Sequence, residues 1–290
     1  ENKEAYDYIR GFEDHCVALP SLQRPKKLRF VLNNSKHMIA LLKPKDDLRK
    51  DSRFMELCRL LNQNFSKSKS KYAIKTFAVT PLNDECGIIE WVENTASFRS
   101  ILLKAYKKSG ISIAIRDLKD ILAMQISPYE KFVKFFLPKF TPIFMKWFFE
   151  KFPSIFKWKI ALTDYSNSLA VMSMVGFIVG LGDRHGENIL FDESTGECVH
   201  VDFNCLFDKG KTLEYPEKVP FRLTQNLEHA CGAGGINSSF KGACFSVMNT
   251  AWESKRSILT NLETFLHDPL VEWSKHKRSI NQSSDITNEQ

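Results

Sequence analysis

The stretch between Gly182 and Asn204 constrains this chain more than any other part of it. Its two informative segments are Gly182-Asp183-Arg184-His185-Gly186-Glu187-Asn188 and Val201-Asp202-Phe203-Asn204. Short apolar runs at 189–191 and 198–202 flank a turn-forming cluster at 192–196, so the pattern predicts a β-hairpin. That hairpin brings Asn188 and Asp202 side by side, and a long apolar helix before it places Asp183 at the same cleft.

These residue types indicate phosphoryl transfer from ATP. In that reaction one carboxylate orients the attacking hydroxyl, while an amide oxygen and a second carboxylate hold Mg²⁺ on the phosphates. The protein-kinase signature H-R-D-L-x-x-x-N also places its Asn five residues after the Asp. Here the triplet is reversed to Asp-Arg-His, but the step from Asp183 to Asn188 is the same. An Asp183–Arg184 ion pair with Asp202 capping a turn is the simpler alternative, and the joint pattern disfavours it.

Composition excludes several other classes of protein. The chain has 290 residues, 43% of them hydrophobic, which is enough for one large domain or two lobes. No apolar run reaches 18 residues, so no membrane span is predicted. Seven scattered cysteines without a secretory signal favour reduced thiols. The net charge of +7 is modest for this length and does not argue for direct DNA binding.

The order of predicted elements indicates an α+β, bilobal fold. The β-rich N-lobe covers residues 1–93 and the larger, helical C-lobe covers residues 94–273. Strands are predicted at 28–32, 38–43, 72–79 and 86–92, with a helix after Asp46-Asp47 whose stripe includes Leu57, Leu61 and Phe65. Helices are predicted at 97–108, 116–125, 129–137, 142–151, 164–181 and 238–266. Residues 274–290 are polar, and we expect them to be disordered.

The candidate phosphate-binding groups of the N-lobe lie near a loop that lacks glycine. Neither G-x-G-x-x-G nor a P-loop pattern occurs anywhere in the chain. Ser21 precedes the first long strand, and its hydroxyl, together with backbone amides, can cover phosphates without glycines. Lys43 ends the next strand, where a lysine reaches the α- and β-phosphates of ATP. Acidic residues follow it, at Asp46, Asp47 and Asp51, and a lysine in a cleft requires such a carboxylate partner.

Four residues raise the alternative of a zinc site: Cys198, His200, Asp202 and Cys205. The first three alternate along one face of a short strand, and no second cysteine pair has zinc-like spacing. A buried or half-buried strand is therefore the preferred interpretation.

Several longer segments resemble the phosphatidylinositol 3-kinase-related protein kinases. They are 43–51 (Lys-Pro-Lys-Asp-Asp-Leu-Arg-Lys-Asp), 81–92 (ending Glu-Trp-Val) and 180–190, which contains the Asp-Arg-His triplet. Segments 199–207, 219–224 and 265–273 are similar, more narrowly, to the ATR-type DNA-damage checkpoint kinases. The resemblance covers residues 11–273 and implies the kinase domain of a longer protein, with a protein-kinase-like fold of the PI3/PI4-kinase type.

The resemblance also implies roles for individual residues in a catalytic loop at 181–189 and an activation segment at 202–225. Asp183 and His185 correspond to the catalytic pair, and Asn188 and Asp202 to the ligands of Mg²⁺ or Mn²⁺. Residues that correspond to the ATP site are Ser21 over the phosphates, Lys43 with Asp51 or Asp46, the hinge residues Glu90, Trp91 and Val92, and the apolar residues Leu41, Leu190 and Val201. One departure is Phe77, where many family members have a tyrosine whose hydroxyl lies near the position of Asp51.

The implied function is ATP-dependent phosphorylation of Ser/Thr-Gln sites in protein substrates, in nuclear DNA-damage signalling. The implied partners are an ATRIP-like regulatory subunit and, only indirectly, DNA, in a full-length protein that is dimeric and not bound to a membrane. A phosphoinositide lipid kinase shares the reversed triplet. However, residues 203–219 carry three lysines against three acidic residues, and this neutral segment favours a peptide. A pseudokinase scaffold is disfavoured because all the catalytic and metal-binding residue types are present.

Overall fold

The computed structural model describes residues 7–20, 23–68, 70–111 and 115–267. Ser21 and the polar tail at 274–290 lie outside the described residues. The strands of the described part are β1 Ile9–Phe12, β2 Val17–Ala18, β3 Lys26–Leu32, β4 His37–Pro44, β5 Val79–Pro81, β6 Cys86–Glu90, β7 Thr95–Ser97, β8 Ile189–Asp192 and β9 Cys198–His200.

The helices are more numerous and mostly follow the first sheet in sequence. They are α1 Arg49–Lys67, α2 Phe98–Lys108, α3 Ile115–Ala123, α4 Pro128–Lys131, α5 Leu137–Lys139, α6 Phe144–Lys151, α7 Ile155–Ile178, α8 Gln225–His229, α9 Ser239–Glu253 and α10 Lys255–His267. A π-helical turn, Phe132–Phe136, joins α4 to α5, and a 3₁₀ turn, Lys209–Thr212, lies within the activation segment. The predicted α+β fold, with a β-rich part followed by a larger helical part, is confirmed.

Antiparallel pairing builds the larger sheet in the order β1-β3-β4-β6-β5, with β2 also on β3. The predicted hairpin between β3 and β4 is present, with Leu28 opposite Ala40 and Phe30 opposite Met38. β4 and β6 pair next to it, with Lys43 opposite Gly87. No side chain fits at Gly87, because an added Cβ would lie 2.8 Å from the carbonyl oxygen of Thr80.

The strand predicted at 72–79 is wrong except at its last residue. The side chain of Asn62, on α1, takes both main-chain polar groups of Ile74: Ile74 N donates to Asn62 Oδ1 and Asn62 Nδ2 donates to Ile74 O, each at 2.8 Å. A side-chain amide therefore replaces the ladder partner that a strand requires. The sequence pattern was apolar because Ile74 and Phe77 are buried against α1, not because the segment joins the sheet.

The second sheet contains the predicted catalytic hairpin. β8 pairs with β9, with Ile189 opposite His200, and β7 adds a third strand to β8. The helix before the hairpin is longer than predicted, because α7 begins at Ile155, two residues after Pro153, and ends at Ile178. Its first turns have exposed apolar side chains, such as Phe156 and Ile160, so they show no clear buried stripe. The helical region predicted at 238–266 consists of two helices, α9 and α10.

Two apolar cores hold these elements in place. The first joins α1 to α7, α9 and α10 and includes Phe54, Val175 and Phe203. The second is rich in aromatic residues and packs α6 and α7 against the hairpin, with Phe144 and Phe191 among its members. Helix α1 is thereby fixed to the helices that carry the catalytic hairpin. Within the described residues, none of the helices combines the length and apolarity needed to cross a bilayer.

Candidate active site

Asp183 lies in the loop between α7 and β8, and its main chain is held from both sides. Its backbone is left-handed, with φ of 57°, a conformation that aspartate tolerates better than most side chains. Its N–H donates to Oε1 of Glu217 at 3.0 Å, and its carbonyl oxygen accepts from Nδ2 of Asn188 at 2.9 Å. One side chain five residues away and one thirty-four residues away thus fix this half-buried residue.

Arg184 fastens the loop to the segment that follows β9. The buried guanidinium donates from Nε to Gly182 O and from Nη1 to Val201 O, both at 2.9 Å, and from Nη2 to Asp202 O. Burial lowers the pKa of Arg184 from its ordinary value, and the carboxylates of Asp202 and Asp183 oppose this effect. The side chain bonds main-chain carbonyls, which differs from the simple Asp183–Arg184 ion pair considered as the alternative.

His185 is exposed beside Asp183, and a main-chain contact sets the orientation of its ring. The N–H of Glu187 donates to Nδ1 of His185 at 3.1 Å. A neutral imidazole that accepts at Nδ1 carries its proton on Nε2. In that tautomer the Nε2–H group is the donor of the ring.

The hairpin register continues one step past β8 and β9, which places Asn188 opposite Val201, the residue before Asp202. The N–H of Val201 donates to Asn188 O at 3.1 Å, which extends the ladder by one step. Nδ2 of Asn188 donates to the carbonyl oxygen of Asp183, so Oδ1 of Asn188 is the atom left to bind a ligand. Asp202 has a left-handed backbone, with φ of 61°, and its carboxylate is 39% exposed. One carboxamide oxygen and one open carboxylate fit the hard oxygen donors that Mg²⁺ requires.

Lys43, on β4, reaches Asp202 across the cleft. Its Nζ lies 3.1 Å from Oδ2 of Asp46 and 3.6 Å from Oδ2 of Asp202. Burial alone would lower the pKa of Lys43, but the carboxylates of Asp202, Asp51 and Asp46 outweigh it and raise the pKa. Asn204 Nδ2 also approaches Asp46, at 3.3 Å from Oδ1. Lys43 is therefore a charged cation held in the cleft.

Asp51 does not form a hydrogen bond with Lys43. Its Oδ1 accepts from the main-chain N–H of Phe203 at 3.0 Å, and its Oδ2 is buried with no hydrogen-bond partner among the described residues. Burial raises the pKa of Asp51 to about 6, against the opposing effect of Lys43. Of the two carboxylates that the sequence suggested for Lys43, Asp46 is the one within hydrogen-bonding distance.

The predicted apolar residues of the ATP site come from both sheets. Leu41 is half-buried on β4, directly opposite Ile89 on β6. Leu190 lies on β8, and Val201 follows β9. Both are half-buried and pack against the first core, as Val92 does. The structure thus supplies half-buried apolar side chains on the two sheets that flank the connection at 91–94.

The predicted hinge is only partly free to bind a base. The N–H of Glu90 donates to Ala78 O at 2.8 Å, and the N–H of Trp91 donates to Ile39 O at 3.0 Å. The N–H of Val92 has no hydrogen-bond partner among the described residues. The ammonium of Lys27 lies over the ring of Trp91, 4.0 Å from its centroid. Val92 is consequently the hinge residue whose amide is open to a ligand.

A cavity of about 320 Å³ next to the catalytic loop was not predicted from the sequence. Its walls include Leu181 and Gly182 from the loop and Gly210, Glu217 and Pro220 from the activation segment. The N–H of Gly182 donates to Cys205 O at 2.7 Å, which holds the two segments together. Glu217 is thirty-four residues from Asp183, and no local pattern marks it as part of the site.

The residues of the zinc alternative are placed as strand residues. Cys198 and His200 are both buried on β9, as expected for a buried strand. The ring nitrogens of His200 have no hydrogen-bond partner among the described residues. Within the same part of the chain, no three His, Cys, Asp or Glu side chains are grouped so that they could hold a metal ion.

The chain is similar in sequence to a known kinase family and to named protein kinases. The family model described as phosphatidylinositol 3- and 4-kinase matches residues 38–275. The protein kinase rad3 of Schizosaccharomyces pombe is 46% identical over 285 residues, which cover 96% of this chain and 12% of that protein. Serine/threonine-protein kinase ATR of Oryza sativa subsp. japonica is 46% identical over 281 residues, which cover 93% of this chain and 10% of that protein. The chain spans about a tenth of the length of these relatives.

Solved structures share the fold over nearly the whole chain. The FAT and kinase domain of CtTel1 has a TM-score of 0.83 at 29% identity, covering 92% of this chain and 20% of that one. The complete CtTel1 dimer with C2 symmetry has a TM-score of 0.82 at 29% identity, and the match covers 93% of this chain and 11% of that one.

Proposed function

Because the chain belongs to the phosphatidylinositol 3- and 4-kinase family, we propose that it is the catalytic domain of an ATR-type serine/threonine protein kinase. The observation that carries this proposal is the 3.6 Å approach of Lys43 Nζ to Asp202 Oδ2, which brings the phosphate-binding and metal-binding candidates together. The named protein kinases among its relatives support a protein substrate. Residues 1–93 and 94–273 form the two lobes of this domain.

ATP binds between the two sheets in this proposal. The free N–H of Val92 donates to the adenine base, and Leu41, Leu190 and Val201 pack on its faces. The ammonium of Lys43, held by Asp46 at 3.1 Å, pairs with the α- and β-phosphates. Ser21, which lies outside the described residues, covers the phosphates in this proposal. Asp51 acts differently from the sequence expectation, since it holds the main chain of Phe203.

Asp183 and His185 act on the reacting groups. The carboxylate of Asp183 accepts a hydrogen bond from the substrate hydroxyl and orients its oxygen towards the γ-phosphorus. The Nε2–H of His185 donates to the oxygens of the phosphoryl group, where negative charge must be stabilised in the transition state. Both roles need a rigid loop, which the contacts of Glu217, Asn188 and Arg184 provide.

Asn188 and Asp202 are the residues that would hold Mg²⁺, or Mn²⁺ in its place, through a carboxamide oxygen and a carboxylate. When bound, the cation neutralises the charge of the ATP phosphates. Asp202 also draws Lys43 towards the same point, so the protein places its own cation next to the phosphate site.

The activation segment and the adjacent cavity favour a peptide with a neutral polar side chain. The cavity has apolar walls at Leu181, Val219 and Pro220, and its charged residues balance, with Asp208 and Glu217 against Lys211 and Lys218. The Glu217 carboxylate can accept from the amide of a glutamine, and a lining without net charge lacks the excess of cations that an inositide head group requires. Phosphorylation of Ser/Thr-Gln sites fits this chemistry, and the lipid-kinase alternative is not favoured.

In the cell, we place the activity in the nucleus, in checkpoint signalling after DNA damage. A dedicated, ATRIP-like regulatory subunit recruits the kinase, and DNA is contacted only indirectly. The full-length protein is a dimer, in line with the C2-symmetric dimer of CtTel1. These statements rest on the similarity to the named relatives.

The test is phosphoryl transfer from ATP by the intact protein carrying Asp183→Ala or Asp202→Ala. Each variant should lose at least about 1,000-fold in kcat, because positioning and charge stabilisation supply most of the rate in phosphoryl transfer. Asp120→Ala, an exposed substitution on α3, is the matched control and should retain wild-type activity. Near-normal activity of either active-site variant would contradict the assigned roles.

A further inference from the structure

The side chain of Glu217 occupies a slot between two glycines from different segments. Gly182 belongs to the catalytic loop and Gly210 to the activation segment. A Cβ added at Gly182 would lie 2.5 Å from Oε2 of Glu217, and one added at Gly210 would overlap the same oxygen. Since real Cβ atoms do not approach so closely, the carboxylate stays in the slot only while both positions lack a side chain.

Glu217 contacts the catalytic loop through the main chain of Asp183. Its Oε1 accepts from the N–H of Asp183 at 3.0 Å, and its own N–H donates to Gly210 O at 3.0 Å. Asp183 has a left-handed backbone, which costs conformational energy in a non-glycine residue and persists only where neighbouring groups hold it. Glu217 is one of the two side chains that hold it, with Asn188 on the carbonyl side.

We propose that Glu217 is a positioning residue that clamps the main chain of Asp183 from the activation segment and so orients the catalytic carboxylate. This inference rests on the proposed function of Asp183. The same carboxylate forms part of the wall of the cavity next to the loop. A substrate side chain that enters the cavity therefore contacts the group that holds the catalytic residue, which couples peptide docking to the geometry of phosphoryl transfer.

The first test compares three variants of the intact protein with a Ser-Gln peptide and ATP. Glu217→Ala removes the acceptor, and kcat should fall by about 10- to 100-fold. This is the loss expected when a reacting group is shifted slightly from its productive position. The KM for ATP should not change. Glu217→Gln keeps a carbonyl oxygen at the same reach and should restore kcat to within about threefold. Glu228→Gln removes the same charge at an exposed site and is the control.

The second test uses the slot itself. Gly210→Ala should displace the carboxylate and lower kcat in the same way as Glu217→Ala. The double variant should be no worse than the poorer single variant, because both changes remove one interaction and their effects are not additive. A melting temperature equal to that of the wild-type protein shows that each variant is folded. A double variant with the product of the two single losses would contradict the clamp.

The outcomes separate this inference from the proposed function. If the wild-type protein transfers no phosphate to the peptide, the proposed function fails. If it does, and Glu217→Ala has wild-type kcat, the clamp is overturned. It is also overturned if Glu217→Ala raises only the KM for the peptide, or if Glu217→Gln loses as much kcat as Glu217→Ala with the fold intact. A rise in the peptide KM alone would mean that the carboxylate only binds substrate. Equal losses of kcat in Glu217→Gln and Glu217→Ala would mean that the charge of Glu217 matters and its acceptor oxygen does not.

Discussion

The carboxylate of Asp51 accepts a hydrogen bond from the main-chain N–H of Phe203, with 3.0 Å between Oδ1 and the nitrogen. Helix α1 is thereby attached to the residue that follows the metal-ligand candidate Asp202. Asp51→Asn keeps an acceptor for this N–H and should retain kcat to within about tenfold. Asp51→Ala leaves a buried N–H without a partner, at a cost of about 1–3 kcal/mol, and should lower kcat further. ATP-dependent peptide phosphorylation by the intact protein measures both, and equal kcat for the two variants would contradict the role.

Phe77 stands where many family members have a tyrosine, and the second carboxylate oxygen of Asp51 has no hydrogen-bond partner in the described part of the chain. The ring of Phe77 stacks against Phe203 at 6.3 Å between centroids, and the family resemblance places a tyrosine hydroxyl near Asp51 at this position. Phe77→Tyr should satisfy Oδ2 and raise the free energy of unfolding by about 1 kcal/mol, the net value of one hydrogen bond. Urea denaturation of the two proteins measures the change. In an Asp51→Ala background the gain should disappear, and a persistent gain would assign it to another contact.

Arg184 should not tolerate replacement by lysine. Its planar guanidinium serves three main-chain carbonyls at once, and a lysine ammonium cannot reproduce that fork. Arg184→Lys should lower kcat by about 100-fold and the free energy of unfolding by roughly 2–4 kcal/mol, because buried carbonyls lose their donors. Arg29→Lys, on the exposed face of β3, is the matched control and should change neither quantity. An Arg184→Lys variant with wild-type kinetics would contradict the fastening role.

The ion pair between Lys75 and Asp192 should make stability depend on acid pH. Burial alone would raise the pKa of Asp192, but hydrogen bonds from Lys75 and Ser194 outweigh it and hold the pKa below its ordinary value. A lowered folded-state pKa means that the stabilisation is present above about pH 4 and is lost as the pH falls through the folded value. Lys75→Met should therefore destabilise by about 1 kcal/mol at pH 7, since Lys75 is partly exposed.

Denaturation curves between pH 3 and pH 7 check this directly. The wild-type and Lys75→Met proteins should converge in stability as the pH falls. A constant difference across that range would show that Lys75 contributes through packing and not through its charge on Asp192.

The hairpin of β8 and β9 was predictable because its information is local. Asn188 and Asp202 are joined by two short strands and a turn, so their placement at the same end of the hairpin follows from period-2 alternation and turn residues alone. The hairpin of β3 and β4, and the buried stripe of α1 at Leu57, Leu61 and Phe65, were predictable for the same reason.

The choice of carboxylate for Lys43 was not predictable. Asp46 and Asp51 lie three and eight residues after it, and sequence spacing allows either. The structure separates them, because Asp51 is in the first turn of α1 and faces Phe203, while Asp46 precedes the helix beside Lys43. Glu217 was missed for a related reason: its contact with Asp183 depends on two glycines that bring distant segments together, and neither has a local signature.

In the proposed function, this site phosphorylates Ser-Gln peptides and not inositides. The direct measurement is ³²P transfer from ATP by the intact protein to a Ser-Gln peptide, to the same peptide with Ser-Ala in its place, and to phosphatidylinositol vesicles, each with wild type and Asp183→Ala. We predict labelling of the Ser-Gln peptide alone, by the wild type alone. Labelling of the lipid without the peptide, or peptide labelling that survives Asp183→Ala, would contradict the proposed function.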